Sequence, residues 1–252
     1  MTLEIILYPI IFLYGLVIGS FLNVCIYRIP KNEDLIKKRS HCMQCGYQLK
    51  WYDLVPLFSW CFLGGRCRKC KTKISIQYPF IELMNGLLYL LVFYVNGLNL
   101  ISVLYCFMAS ALVVLSMIDF RTFEIPFGIN LFLLALGLIR LGMDLTHWAT
   151  YVIGLFLVSG ILYLIIFLTK GKGMGGGDAK LMAACGLILG GPKILLAFVL
   201  GCILGSVIHL LRMWISKEQH VLAFGPYLAM GIFIAALWGD GLIRLYLQYL
   251  GL

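Results

Sequence analysis

The sequence predicts an all-α polytopic membrane protein, and three observations predict it. Apolar residues make up 62% of the 252-residue chain and charged residues only 12%, against roughly 25% charged in a soluble domain. The apolar residues fall in repeated runs, too long and too little alternating for a membrane β-barrel. The formal charge of +9 is also concentrated. Residues 28–79 hold eleven Lys/Arg against Glu33, Asp34 and Asp53, which by the positive-inside bias marks a cytoplasmic loop. No recognition helix or aromatic RNA-binding pattern accompanies that charge, so the expected partner is the lipid bilayer and not nucleic acid.

The first span is Ile5–Tyr27. No basic region precedes Ile5 and the run is long enough to cross, so it reads as a membrane helix and not as a cleaved signal. The basic loop follows to Pro79. Further apolar runs are Phe80–Val95, Leu98–Ile118, Phe127–Gly142, Tyr151–Thr169, Ala179–Leu189, Ile194–Ile215 and Leu222–Leu247. That makes about eight crossings, with the loop inside and both termini outside. Seventeen Lys/Arg then lie inside, and only Arg140, Lys193 and Arg244 outside. The expected division is a first transmembrane helix at 1–27, the loop at 28–79 and a membrane core at 80–252. Ala179–Leu189 is the short member. Its 11 residues extend about 16 Å, roughly half a hydrocarbon core. A half-helix that does not cross is the alternative, and charge does not decide between them.

Three small-xxx-small pairs, Gly15/Gly19, Gly186/Gly190 and Gly201/Gly205, read as close helix packing in lipid. Asn23 reads as an interhelical hydrogen bond and His209 as a bundle-facing hydrogen bonder. No internal repeat is visible, which weighs against a transporter built of two related halves.

Cys42-x2-Cys45 and Cys67-x2-Cys70 are two C-x2-C knuckles separated by 21 residues. In a reducing compartment such a doubled pair reads as a tetrahedral zinc site and not as disulfides. Four thiolates close the coordination shell, so the metal is structural. Nearby Lys and Arg favour the thiolate form. Cys25, Cys61, Cys106, Cys185 and Cys202 read as packed thiols.

The stretch Lys170–Leu181, K-G-K-G-M-G-G-G-D-A-K-L, is a basic glycine-dense hinge ending in one carboxylate. An acid beside membrane-length apolar runs suggests function, and the glycines allow close backbone passage. Asp178 can equally cap the helix that follows. What separates these readings is a second acid, Asp119, which ends the run Leu98–Ile118 at the same membrane face. The two are 59 residues apart in sequence, yet two helix ends at one depth bring them together. Close carboxylates do not both ionise easily, so one holds a proton and the other serves as base. Such a dyad activates water for attack on an amide and needs no metal. A proton or cation path uses the same two acids. Of the other polar residues, Glu82 pairs with a loop base or orients the site, Glu124 caps or solvates its turn, and Lys180 either tunes Asp178 or snorkels.

The chain resembles the bacterial type IV prepilin leader peptidase/N-methyltransferases, a GxGD-type membrane aspartic peptidase family. The resemblance begins at G-S-F-L-N-V-C-I-Y-R-I-P (Gly19–Pro30). It runs through the doubled C-x2-C, W-Y-D-L-V-P-L-F-S-W (Trp51–Trp60), Q-Y-P-F-I-E (Gln77–Glu82) and Ile118-Asp119, and ends at Gly175-Gly176-Gly177-Asp178 followed by Lys180. It implies that Asp119 and Asp178 are catalytic, with Gly175, Gly177, Lys180 and Glu82 supporting them. It implies prepilins and pseudopilins as substrates, cut at the cytoplasmic face of the bacterial inner membrane between a basic leader and an apolar helix. It also implies S-adenosylmethionine-dependent N-methylation of the new terminus, although no Gly-rich loop after a strand marks a site for the methyl donor. The family's eight-span layout lets Ala179–Leu189 cross. Two departures stand out: Met43 replaces the usual Pro, and Phe127 follows Pro126 where the family usually has Asp or Asn.

Three classes of function follow: a two-aspartate membrane peptidase, a proton- or cation-coupled transporter, and a non-catalytic assembly protein with the cysteine loop as docking module. A transporter needs acids near the midplane, whereas Asp119 and Asp178 both fall at span ends. An assembly protein needs no paired acids.

Overall fold

The computed structural model describes residues 2–171, 174–216 and 223–251. Lys172 of the glycine-dense stretch lies outside the described residues, as do Lys217, His220 and the start of the last apolar run at Leu222. Among the described residues the chain is helical, with two isolated bridges, His41 to Gln48 and Arg66 to Lys73, in place of strands. It divides into two compact units, Met1–Ser102 and Val103–Leu252.

Unit 1 pairs α1 (Thr2–Arg28) with α3 (Gln77–Asn96) and carries the loop between them, whose one helix is the five-residue α2 (Phe58–Phe62). The α1–α3 seam is built from small residues. A Cβ on Gly15 would stand 2.8 Å from the Gly86 Cα, and one on Gly19 would stand 2.7 Å from the Glu82 Cα. Lipid tails are as apolar as leucine, so this closeness, together with polar bonds across the seam, is what holds two membrane helices. The Asn85 amide donates to the Gly15 carbonyl at 2.7 Å, and the Asn23 amide to the Tyr78 carbonyl at 3.2 Å. The interhelical bond expected of Asn23 is present.

Unit 2 holds α4 (Leu100–Thr122, entering the unit at Val103), α5 (Phe127–Met143), α6 (Trp148–Leu168), α7 (Gly176–Leu189), α8 (Gly191–Ser216) and α9 (Gly225–Tyr249). α7 packs on α5, α6 and α8, and α8 packs on α9. The two remaining glycine pairs also serve these seams. A Cβ on Gly186 would overlap the Gly154 carbonyl of α6, and one on Gly201 would meet the Leu228 backbone of α9 at 3.2 Å.

Among the described residues six helices are long and apolar enough to cross a membrane: α1, α3, α4, α6, α8 and α9. α5 is a shorter apolar helix. α7 has 14 residues, about 21 Å at 1.5 Å per residue. It starts at Gly176 and not at Ala179, and it ends where Gly190 packs on Thr150 near the start of α6. The short helix therefore runs along the unit from one end to the other, and its brevity is tolerated because most of its residues are buried by its neighbours.

Gly186→Val drives a side chain into the Gly154 backbone. The expected cost is at least about 1–3 kcal/mol, measured as a lower thermal midpoint in detergent. Gly142→Ala, whose Cβ meets nothing within 4 Å, does not lower the midpoint.

Candidate active site

Asp119 lies in the last turn of α4 and is 5% exposed. The helix stops there because the Phe123 amide bonds back to the Asp119 carbonyl at 2.8 Å while Phe123 takes a left-handed φ of 56°. The chain then turns through Glu124 and Ile125 into Pro126, which precedes α5 with no side-chain cap. Of the two readings of Glu124, a cap or a solvated turn residue, the structure shows the second. The residue is exposed and lines the cavity described next.

Asp178 is not a cap either. Gly175 occupies the cap position of α7 without a side-chain bond, and Asp178 is the third helical residue, its amide bonded to the Gly175 carbonyl at 3.2 Å. Of the glycines before it, Gly177 is the one whose position demands a missing side chain. A Cβ there would lie 3.0 Å from that of Ile125, whereas one on Gly176 would meet nothing within 4 Å. Close packing of Gly177 on the turn after α4 therefore sets Asp178 beside Asp119. Both carboxylates line one cavity of about 310 Å³, with Phe123, Glu124 and Ile125 on one wall and the glycines on the other. Asn130, buried in the first turn of α5, reaches toward the Gly177 carbonyl at 3.5 Å.

Lys180 points outward and sits 5.7 Å above the Phe127 ring. The Phe127 ring thereby gains a cation partner.

Sequence reasoning missed Gly225. Its amide donates to Asp119 Oδ2 at 2.9 Å in a buried bond, and a Cβ at Gly225 would lie 2.7 Å from that oxygen. The readable signal was Phe224-Gly225-Pro226, a proline in the first turn of an apolar run.

In unit 1 the four predicted cysteines converge. The Sγ atoms of Cys42, Cys45, Cys67 and Cys70 all lie within 4.8 Å of one another, a spacing that can hold a metal ion. The two knuckles are built alike. Cys42 N–H donates to the Tyr47 carbonyl at 2.8 Å and Cys67 N–H to the Thr72 carbonyl at 2.9 Å. Gly46 and Lys71, at φ of 67° and 59°, turn the chain in equivalent places. Thr72 Oγ1 stands 3.3 Å from Cys70 Sγ. The hydroxyl and the Thr72 amide, donating to the sulfur, push this thiol down to about 6, which favours the ligating thiolate. Buried Asp53 braces the loop by a 2.7 Å ion pair with Arg68 and an amide bond from Lys50. Cys25, Cys106 and Cys185 are buried as expected and Cys202 is partly buried. Cys61 is exposed, because α2 is too short to have an inner face of its own.

Among the described residues Glu82 pairs with no loop base. Its carboxylate accepts the Leu57 amide at 2.8 Å, where Leu57 holds φ of 60°. It lines a second cavity of about 440 Å³ within unit 1, shared by α1, α3 and the cysteine loop.

Residues 13–96 match the family model described as Bacterial Peptidase A24 N-terminal domain, and residues 106–210 the one described as Type IV leader peptidase family. A prepilin leader peptidase/N-methyltransferase of Stutzerimonas stutzeri is 34% identical over 268 residues, spanning 93% of this chain and 92% of its own length. The chain belongs to the type IV leader peptidase family. Relatives of the same name from Aeromonas hydrophila and Bacillus subtilis (strain 168) are 35% and 31% identical, each over 95% of this chain and over 93% and 97% of their own. No solved structure matches. The two matched segments fall one in each compact unit, and the leader peptidase match ends short of Gly225.

Glu82→Ala leaves the Leu57 amide without its acceptor, at a cost of about 1–3 kcal/mol, whereas Glu82→Gln keeps an acceptor oxygen. Limited proteolysis of the loop is expected to accelerate in the alanine variant and to stay near wild type in the glutamine variant.

Proposed function

We propose that this protein is a membrane-embedded aspartic endopeptidase that removes the basic leader from type IV prepilins and pseudopilins and N-methylates the new terminus, with Asp119 and Asp178 as its catalytic pair. The observation that carries this reading is the single cavity at one end of unit 2 onto which both carboxylates open. Family membership supplies the substrate class. No finding favours the transporter.

The chemistry follows from two carboxyls that share one proton. The ionised one draws a proton from water as the water oxygen bonds to the scissile carbonyl carbon. The protonated one gives its proton to the carbonyl oxygen. On collapse the C–N bond breaks, and the first carboxyl returns its proton to the departing amine. The second recovers its own from the hydroxyl that becomes the new carbonyl.

Zinc is the metal we assign to Cys42, Cys45, Cys67 and Cys70, in a structural role. Four sulfurs at mutual metal-ligand range leave no position for water. S-adenosylmethionine, when bound, supplies the electrophilic methyl group. The unit 1 cavity suits such a ligand. Its volume falls in the range of roughly 300–1,000 Å³ usual for cofactors, and it offers the Glu82 carboxylate to a cation and the Tyr27 and Trp60 rings to a base. Asn23 Oδ1, buried in the same wall, has no partner among the described residues. We place the protein in the bacterial inner membrane with the dyad and the zinc loop facing the cytoplasm, on the strength of the charge bias.

Purified wild-type protein is expected to cleave a prepilin in detergent. Asp119→Asn and Asp178→Asn are each expected to lose about 10³-fold or more in rate while remaining folded and inserted. Cleavage retained by either variant sinks the dyad. Metal analysis is expected to give about one zinc per chain, held by four thiolates. Cys42→Ser with Cys67→Ser should lose the zinc and destabilise the loop, and unchanged zinc content would overturn the assignment.

A further inference from the structure

Although both carboxyls line one cavity, their surroundings differ. Asp119 Oδ2 accepts the Gly225 N–H at 2.9 Å. Gly225 is the first residue of α9, and the amides of a first helical turn have no acceptor within their own helix. Pro226 has no N–H to offer. The helix therefore presents the Gly225 amide, backed by the positive end of its dipole, to one carboxylate oxygen. Room for that contact exists because the residue is glycine. An added Cβ would fall 2.7 Å from Asp119 Oδ2, 3.1 Å from its Cγ and 3.2 Å from Leu115 Cδ2. Among the described residues nothing donates to the Asp178 side chain. The glycines before Asp178 keep its surroundings open, and its nearest would-be neighbour, a Cβ on Gly175, stands at 3.5 Å.

We propose that Gly225 is a positioning residue that divides the labour of the dyad: its amide holds Asp119 as the carboxylate that takes the proton from water, and leaves Asp178 as the partner that carries the proton to the carbonyl oxygen. An N–H can bond a carboxylate lone pair but gives nothing to an O–H pointing toward it, so the proton of the pair resides on the carboxyl without the donor. The amide also fixes one Asp119 oxygen, leaving the other to face the water. Of the titratable groups near Asp119, α7 contributes Asp178 and the turn after α4 contributes Glu124. α9 contributes the amide. This inference rests on Asp119 and Asp178 being the catalytic pair.

The experiment compares wild type with Gly225→Ala in detergent, using a prepilin substrate and a prepilin peptide carrying a hydroxyethylene isostere in place of the scissile amide. The expected result is a fall in kcat of about 100-fold, the cost of one misplaced electrostatic contact, with KM within about threefold. Affinity for the isostere should fall in step with kcat, because that analogue senses the dyad and not the leader. An unchanged kcat overturns the inference, and so does an equal loss of substrate and isostere affinity, which marks general misfolding. Wild type that fails to cleave sinks the dyad itself and the inference with it.

A second measurement is independent of whether Gly225→Ala folds. Carbonyl-13C phenylalanine with 15N glycine isolates the two Phe-Gly amides of the chain, Gly128 and Gly225, and Gly128→Ala tells them apart. The Gly225 amide proton is expected downfield in wild type and moved upfield by Asp119→Asn. A resonance indifferent to Asp119→Asn removes the bond on which the division of labour depends.

Discussion

The site in unit 2 depends on how closely one short helix approaches its neighbours. α7 is too short to be anchored by its own length, and its place is set by close approach at two glycines, the Gly186 turn against the Gly154 carbonyl and Gly177 against the Ile125 side chain. In water an apolar face would hold such a helix. In lipid that driving force is absent, and dispersion between atoms at contact distance must serve instead. The glycines achieve this by adding no side chain of their own at the contact. Asp178 is carried at the start of this helix, so its distance from Asp119 is fixed by packing at the other end of α7 as well as by its own hinge.

The cysteine loop meets the opposite problem. It stretches from α1 to α3 with two short 3-10 turns and the five-residue α2 for regular structure, and it encloses little apolar volume. Small folds without enough core need a metal or disulfides to hold them. Here two knuckles of the same construction bring four sulfurs together, the Asp53–Arg68 pair braces them, and Glu82 ties the loop backbone to α3.

What could be read from the sequence, and what could not, follows from the range of the interactions involved. The helices announce themselves through composition, and the cysteine knuckles through spacing within a few residues. Asp119 and Asp178 stand out because an acid at the edge of an apolar run is costly to place and two at one membrane face suggest a shared function. Helix ends were less visible. α7 begins three residues before the expected start, because the missing Cβ of Gly177 is required by Ile125, and a contact between segments so distant in sequence leaves no local trace. Gly225 is the extreme case, a glycine bonded through its backbone to a residue 106 positions away. No side-chain chemistry marks it, and the proline that follows reads only as a helix start. Cys61 was misjudged for a related reason, since its aromatic neighbours suggested a core that the five-residue α2 cannot build.

The short helices also bear on the bilayer. α5 has 17 residues, about 26 Å at 1.5 Å per residue, and its Leu131, Phe132, Leu138 and Ile139 are exposed. A lipid-facing surface of that height beside a hydrocarbon layer of about 30 Å is a hydrophobic mismatch, of the kind a bilayer meets by thinning, by snorkelling of flanking residues or by association of the helix. The turn that leads into α5 forms a wall of the carboxylate cavity. Where the bilayer thins there, lipid headgroups and their water would stand closer to the cavity on this side. A helix lying in the bilayer against α5 would then meet the aqueous boundary closer to its own apolar residues than it would in a layer of full thickness.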